Sequence, residues 1–215
     1  MRSTFGEIRK TSQRHGFSLL ELLMVIAIIG LLTALVVPAV SSISRSYQMT
    51  SAGHAALNAL VQARQAAMTK GYPVQVRIYK LPDYNQPNSG TPSVYRALQA
   101  FVEGDPISTG GTSSAPLTPL SKASFFSSPV QILAAKSSLL TLPAVSSPEE
   151  TLPGYGRNYS YVSFRFKPSG QADISASTSG IVLAFSSDSQ SGSLPDNFRA
   201  LEIDPVTGAI RDYTP

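Results

Sequence analysis

The stretch from His15 to Val40, HGFSLLELLMVIAIIGLLTALVVPAV, decides how the rest of the chain can be organised. From Phe17 onward it contains one charged residue, Glu21, and one proline, Pro38. A helix over residues 17–40 would extend about 36 Å, which exceeds the ~30 Å thickness of a bilayer's hydrocarbon core. The segment therefore predicts a transmembrane or assembly helix over residues 17–40.

Glu21 is the unusual residue of this segment. A carboxylate within an apolar helix costs on the order of 3 kcal/mol to place in a membrane. The start of a helix carries unsatisfied N–H groups and a partial positive charge, so part of that cost is offset there. Because an acidic residue at this place is unfavourable in lipid, its presence predicts a function.

Gly16-Phe17-Ser18-Leu19-Leu20-Glu21 follows a short basic leader and precedes the apolar run. This order resembles the class III signal of type IV pilins and pseudopilins. The resemblance implies cleavage between Gly16 and Phe17 by a prepilin peptidase, N-methylation of Phe17, an assembly role for Glu21 and a helix kink at Pro38. An ordinary signal peptide is the alternative. Its cleavage site would follow the apolar core, whereas the junction here precedes it.

Length and charge set the domain organisation. The 215 residues suffice for a basic leader over 1–16 that is removed, the helix over 17–40, an amphipathic continuation over 41–70 and a β-rich pilin-like domain over 71–215. Residues 71–215 carry ten Lys and Arg against eleven Asp and Glu, so the net charge of +4 arises chiefly in the leader. A basic leader marks the cytoplasmic side of a membrane helix, which predicts a periplasmic C-terminal domain.

The helical pattern continues beyond the apolar run. No proline occurs between Ser41 and Lys70, and apolar residues recur at helical spacing. The end of this stretch has Lys70 followed by Gly71, which is typical of a helix C-terminus. We therefore expect one helix from Phe17 to about Lys70. The residues predicted to form its buried face are Ile43, Tyr47, Leu57, Leu60, Val61 and Met68, with Ala56, Ala63 and Ala67 beside them.

After Gly71 the pattern changes from helical to alternating. Segments 103–120 and 143–155 are rich in Gly, Ser, Thr and Pro and are predicted to be loops, whereas 125–142 fits either a short strand or a helical turn. The fold class is therefore α+β: a long N-terminal hydrophobic helix, about 17–70, packed on a mainly antiparallel β-sheet domain of pilin-like type. Strands are predicted at 74–79, 94–102, 158–167, 181–185, 198–203 and 209–213.

A second resemblance lies in the last third. Phe166-Lys167-Pro168-Ser169-Gly170 and Ile203-Asp204-Pro205-Val206-Thr207-Gly208-Ala209-Ile210-Arg211 enclose an apolar strand. This arrangement resembles the C-terminal half of H-type minor pseudopilins of type II secretion, although Ala209 stands where that family commonly has a basic residue. Simple turn chemistry is the alternative explanation. The Ser- and Pro-rich middle without cysteine also resembles pilin-like proteins of multi-gene cassettes in Verrucomicrobia-type bacteria.

No motif for catalysis occurs in the chain. Without cysteine there is no thiol nucleophile and no thiolate metal site. The two histidines, His15 and His54, lie in the leader and in the predicted helix, and no phosphate-binding loop or nucleophile elbow is found. The acidic pairs Glu149-Glu150 and Glu103 with Asp105 lack the oxygen-rich loop that calcium requires. We expect no enzymatic activity, no cofactor and no metal.

The predicted function is that of a structural subunit, a minor pseudopilin or pilin-like component of a type II secretion or type IV pilus-like fibre. The resemblance implies four partners: prepilin peptidase, other pilins or pseudopilins through the N-terminal helix, the inner membrane, and its assembly platform. It also implies a single-pass inner-membrane location, followed by a place in the pilus or pseudopilus.

The alternative is a fibre-borne binding module for DNA uptake or adhesion. Its candidate ligand-binding residues are Arg199 and Arg211, which Arg157, Arg165 and Lys167 could join in a basic stripe. The slightly acidic balance of the exported domain argues against DNA as a partner.

We expect mass spectrometry of the membrane-extracted chain to find Phe17 as its first residue, with a methyl group on the amine. Gly16→Leu should leave the chain unprocessed, because a peptidase must approach the backbone closely at a glycine junction. Ser12→Leu, a matched change within the leader, should leave processing intact. An intact Met1 terminus, or a terminus after Val40, would contradict the prediction.

Overall fold

The chain divides into two compact units, Met1–Ser44 and Arg45–Pro215. The computed structural model describes residues 18–82, 92–105, 107–109, 112–147, 152, 156, 159–188 and 193–215.

One long helix, α1, extends from Leu19 to Lys70, as predicted. It begins directly after Ser18, whose carbonyl oxygen accepts a hydrogen bond from the Leu22 N–H at 3.1 Å. It ends at Gly71, whose N–H donates to the Ala67 carbonyl at 3.1 Å. The φ angle of Gly71 is +72°, a left-handed conformation that glycine adopts without a steric penalty.

The first unit contains the apolar part of α1, through Ser44. Helical backbone continues through Pro38, and the kink predicted there stays a prediction. Among the residues that the structure describes, no helix combines the length and the apolarity needed to cross a membrane.

The second unit contains a mainly antiparallel sheet, which confirms the predicted α+β fold class. The strand order is β12-β11-β10-β7-β2-β1-β9-β8, β5 and β6 also pair with β2, and β3 and β4 form a separate hairpin. The strands are β1 (Val74–Leu81), β2 (Val94–Glu103), β3 (Ile107–Thr109), β4 (Thr112–Ser114), β5 (Leu117–Pro119), β6 (Ser124–Phe125), β7 (Val130–Ile132), β8 (Ala144–Ser147), β9 (Tyr159–Phe166), β10 (Gly180–Phe185), β11 (Arg199–Ile203) and β12 (Ile210–Tyr213).

The two segments predicted to be loops contain strands, so that part of the prediction is wrong. Segment 103–120 includes the β3–β4 hairpin and β5, which pairs with β2, and segment 143–155 includes β8, which pairs with β9. These strands are short and lack apolar alternation. Backbone hydrogen bonds to a neighbouring strand hold them in place, so their own side-chain pattern does not indicate a strand. The ambiguous segment 125–142 holds the second of the two β6 residues, all of β7 and a 3-10 helix at Ser138–Thr141.

The register of the sheet sends alternate residues to two apolar clusters. On β1, Val76 and Ile78 lie in the core cluster that includes α1, whereas Tyr79 lies in a cluster with Tyr159 and Tyr161. The central strands are therefore covered on both faces. The three tyrosines are buried by packing.

The buried face of α1 in the second unit consists mainly of alanine. Ile43, Tyr47 and Met68, which were predicted to be buried, are 68%, 74% and 43% exposed, so the predicted face is wrong in these places. The physical reason is that small side chains let the helix approach the sheet closely, which leaves the larger residues beside the contact. The buried helix residues are Met49, Ala52, Ala56, Ala59, Leu60, Ala63 and Ala67.

Candidate functional site

Glu21 is the charged residue of the predicted assembly segment, and it lies exposed in the first turn of α1. The N–H groups of that turn have no partner within the helix, so a carboxylate there is favoured electrostatically by about 0.3–1 kcal/mol. Gly16 and Phe17 lie outside the described residues. Cleavage and methylation at those residues therefore stay predictions, as does the assembly role of Glu21.

The large apolar side chains from Leu19 to Leu32 are exposed on all sides of α1. Their exposed fractions extend from 47% at Val25 to 81% at Leu19. Thr33 follows this stretch, and its Oγ1 donates to the Ile29 carbonyl at 2.8 Å, so the hydroxyl is satisfied within the helix. An apolar surface of this extent marks a segment that another apolar phase or protein covers.

In the second unit, the two motifs of the last third meet on the helix. We call this arrangement the two-turn cluster: the turn 167–170, the turn 204–208, and Arg64 of α1. The Arg64 guanidinium donates to the Thr207 carbonyl from Nη2 at 2.8 Å and from Nε at 3.1 Å, and Nε also approaches the Gly170 carbonyl at 3.4 Å. The Ala172 N–H donates to the Pro205 carbonyl at 3.1 Å, which joins the two turns directly.

Two glycines allow the turns of this cluster to approach each other. Gly170 and Gly208 have φ angles of +87° and +65°, in the left-handed region. A Cβ atom at Gly208 would lie 1.9 Å from the Gly170 carbonyl oxygen, and one at Gly170 would lie 2.9 Å from the Met68 sulfur. Glycine is therefore required at Gly208 by conformation and by space, and at Gly170 by conformation, because the flexible Met68 side chain could move aside.

Asp204 holds the second turn in its conformation. Its Oδ1 accepts the Val206 N–H at 2.9 Å and the Thr207 N–H at 3.3 Å. These backbone hydrogen bonds hold the pKa of Asp204 below its ordinary value. The carboxylate thus stabilises the turn above the ordinary pKa of an aspartate, and this contribution is lost as the pH falls through the lowered value.

Arg199 and Arg211, the candidate ligand-binding residues, lie in different surroundings. Arg199 is 6% exposed and forms an ion pair with Asp212, with Nε donating to Oδ1 at 2.8 Å. Its Nη1 donates to the Thr50 carbonyl of α1 at 3.3 Å. A Cβ atom at Gly53 would lie 2.1 Å from Arg199 Cδ, so the glycine makes room for this side chain. Arg211 is exposed.

Ligand binding by Arg199 and Arg211 stays a prediction. The guanidinium of Arg199 already forms its ion pair and hydrogen bonds within the protein. The other cations of the predicted basic stripe are paired as well, where the structure describes them. Arg165 pairs with Glu103 and Lys167 with Asp173. Arg157 lies outside the described residues.

Arg77 is a further inward arginine, held on the face of the sheet opposite α1. Its guanidinium carbon lies 4.6 Å from the ring centroid of Phe101 and 4.4 Å from that of Tyr161, and its Nε donates to Gln75 Oε1 at 2.9 Å. Such cation–π stacking is favourable and makes Arg77 part of the packing. The alternating pattern of the strands does not indicate that Arg77 and Tyr161 stack.

The acidic pairs considered for calcium do not converge in the described part of the chain. Glu103 pairs with Arg165, and the Asp105 carboxylate accepts a hydrogen bond from the Tyr72 hydroxyl at 3.1 Å. Glu149 and Glu150 lie outside the described residues. Within the residues that are described, no group of three or more His, Asp or Glu side chains could hold a metal ion.

Sequence reasoning identified both turns of the two-turn cluster but not their meeting point. The only signal for Arg64 was a long cationic side chain on a helix face otherwise lined by alanines. Gly53 carried a comparable signal for Arg199, since glycine within a helix is unfavourable without a packing reason.

Comparison with known proteins finds a family match near the start of the chain. The family described as "Prokaryotic N-terminal methylation motif" matches residues 11–37, a range that contains Gly16, Phe17 and Glu21. The match confirms the predicted resemblance to type IV pilins and pseudopilins and fits a membrane-anchored fibre subunit.

Among solved structures, the chain is similar to the minor pseudopilin EpsH from the Type 2 Secretion System of Vibrio cholerae. The TM-score is 0.41 at 11% sequence identity, and the alignment covers 78% of this chain and 98% of that chain. No curated protein matches the chain.

The geometry of the two-turn cluster predicts that Gly208→Ala strongly lowers the stability of the second unit. The new methyl group would meet the Gly170 carbonyl and also force a left-handed alanine, so we expect a loss of about 2–4 kcal/mol in the free energy of unfolding, measured by chemical denaturation. Gly71→Ala is the matched control. Gly71 has the same sign of φ but no atoms within 4 Å, so only about 1 kcal/mol should be lost. Equal losses for the two variants would show that the turns do not interlock.

Proposed function

We propose that this chain is a minor pseudopilin or pilin-like structural subunit of a type II secretion or type IV pilus-like fibre. The observation that carries the proposal is the coincidence of three features in one segment. The methylation motif covers residues 11–37, the described part of that range from Leu19 onward is helical with exposed large apolar side chains from Leu19 to Leu32, and Glu21 lies in the first turn of the helix.

In this proposal the leader is removed by a prepilin peptidase between Gly16 and Phe17, and the new Phe17 amine is methylated. Residues 17–40 hold the subunit in the inner membrane by a single span, with the basic leader on the cytoplasmic side and the β-rich domain in the periplasm. The inner-membrane assembly platform then moves the subunit from the membrane into the fibre.

Glu21 acts during that transfer. In lipid its carboxylate has only its own helix start as a partner. In a fibre of offset subunits, the Phe17 ammonium of a neighbouring subunit can approach Glu21 within a core of low dielectric constant. Breaking such a pair leaves one buried charge without a partner, which costs several kcal/mol. The pair therefore favours a single axial register between subunits.

The described charges support a structural role over the alternative of a DNA-binding module. Arg165, Lys167 and Arg199 each pair with a carboxylate of the same chain, which reduces the positive charge available to phosphates. Of the alternative functions as a fibre-borne binding module, adhesion through another part of the surface is the one that remains. An enzymatic role has no support in the residues brought together.

We expect Glu21→Ala to leave processing intact and to lower incorporation into fibres at least tenfold, because one partner of the proposed ion pair is lost. The measurement compares processed chain in membranes with chain in sheared fibres, by quantitative immunoblotting in the native bacterium.

Asp196→Ala, which removes an exposed carboxylate of the second unit, is the control and should incorporate normally. Normal processing together with normal incorporation of the Glu21 variant would remove the assembly role from Glu21. Failure of both variants to leave the membrane would point to a general export defect.

A further inference from the structure

Met68 of α1 lies against the two-turn cluster. A Cβ atom at Gly170 would lie 2.9 Å from the Met68 sulfur and 3.7 Å from Arg64 Nη2, so both side chains meet the same turn. Arg64 and Met68 are also four positions apart on one helix, and side chains at that spacing are neighbours on the same face. The thioether therefore lies beside the guanidinium that joins the two turns.

Met68 is the accessible methionine of the second unit. It is 43% exposed, whereas Met49, the other methionine of residues 45–215, is 4% exposed and belongs to the core cluster. A dissolved oxidant must touch the sulfur in order to oxidise it. We therefore expect oxidation of this unit to begin at Met68.

The contacts of Arg64 are open to competition. Its guanidinium donates to the Thr207 carbonyl at 2.8 Å, but its approach to the Gly170 carbonyl is 3.4 Å, beyond the usual range for such a bond. A thioether sulfur is a weak acceptor and leaves these bonds undisturbed, whereas a sulfoxide is polar and carries an oxygen acceptor. A sulfoxide beside Arg64 would compete with both carbonyls for its N–H groups.

We propose that Met68 is a peroxide-sensitive modification site, and that its sulfoxide loosens the two-turn cluster by drawing the Arg64 guanidinium away from the Thr207 and Gly170 carbonyls. The oxidant is hydrogen peroxide or another hydroperoxide. This site goes beyond the proposed fibre function and does not depend on it.

The oxidation step is a transfer of one oxygen atom. With hydrogen peroxide, a sulfur lone pair attacks one peroxide oxygen, the O–O bond breaks, and both protons leave with the second oxygen as water. The sulfur is oxidised by two electrons and the peroxide is reduced by two.

The test uses the full chain in dodecyl maltoside micelles, treated with hydrogen peroxide. Peptide mass spectrometry follows the sulfoxide at each methionine. We expect Met68 to be oxidised at least about tenfold faster than Met49, because the core excludes the oxidant from the Met49 sulfur.

Hydrogen exchange then reports the state of the turns. The informative amides are those of Ala172, which donates to the Pro205 carbonyl across the cluster, and Gly208, which donates to the Asp204 carbonyl within its turn. We expect each to exchange at least about threefold faster after oxidation. The amides of β1, a strand that is paired on both sides, should not change.

Two variants locate the effect. Met68→Leu keeps an apolar side chain of similar size but has no sulfur, so peroxide should leave the exchange of both turns unchanged. This variant also controls for oxidation at Met24, which is exposed in the apolar part of α1. Arg64→Gln should speed exchange at both turns before any treatment. Peroxide should then add less than about twofold, because the guanidinium for which the sulfoxide competes is gone.

Reduction of the sulfoxide should reverse the change. Methionine sulfoxide reductases A and B, which act on the two sulfoxide epimers, should return the exchange rates to those of the untreated chain. Equal oxidation rates for Met68 and Met49 overturn the proposal. So does unchanged exchange at both turns once Met68 is fully oxidised, a full response in Met68→Leu, or an undiminished response in Arg64→Gln.

Discussion

The close contact between the alanine-lined face of α1 and the sheet is the constraint on which the second unit depends. Ala56, Ala63 and Ala67 are almost completely buried, and the large residues of the sheet fill the space that they leave. Close approach also brings the helix backbone and the Arg64 side chain within contact distance of the C-terminal strands and turns. A larger side chain on that face would separate the layers and remove those contacts along with the packing.

The contacts of Arg199 and Arg64 in this unit depend on the close packing of the helix and the sheet. Arg199 lies over Gly53 and joins β12 to the helix backbone at Thr50, and Arg64 joins both turns of the two-turn cluster to the same helix. Arg77 stacks between rings on the opposite face. The second unit therefore uses several of its cations to hold its own chain together.

The sequence predicted the elements whose own pattern determines them. The continuous helix to Lys70 and the strands with apolar alternation, such as β1 and β9, follow from periods of 3.6 and 2 residues. Strands β5 and β8 could not be predicted in this way, because each is ordered by backbone pairing with a neighbouring strand and not by its own side-chain pattern. The buried face of α1 was misjudged because size was taken as a guide to burial, whereas close packing selected alanine.

The candidate site shows the same division. Motif residues near the start of the chain were found because they are contiguous, whereas the contact of Arg64 with Thr207 joins residues 143 positions apart, which no local pattern encodes.

The claim that other pilin-like chains cover the apolar surface of α1 is tested most directly by a photo-crosslinking residue at Leu23, incorporated in the native bacterium. The account predicts crosslinks to proteins that themselves carry the methylation motif. Crosslinks confined to lipid or to proteins without that motif would contradict it.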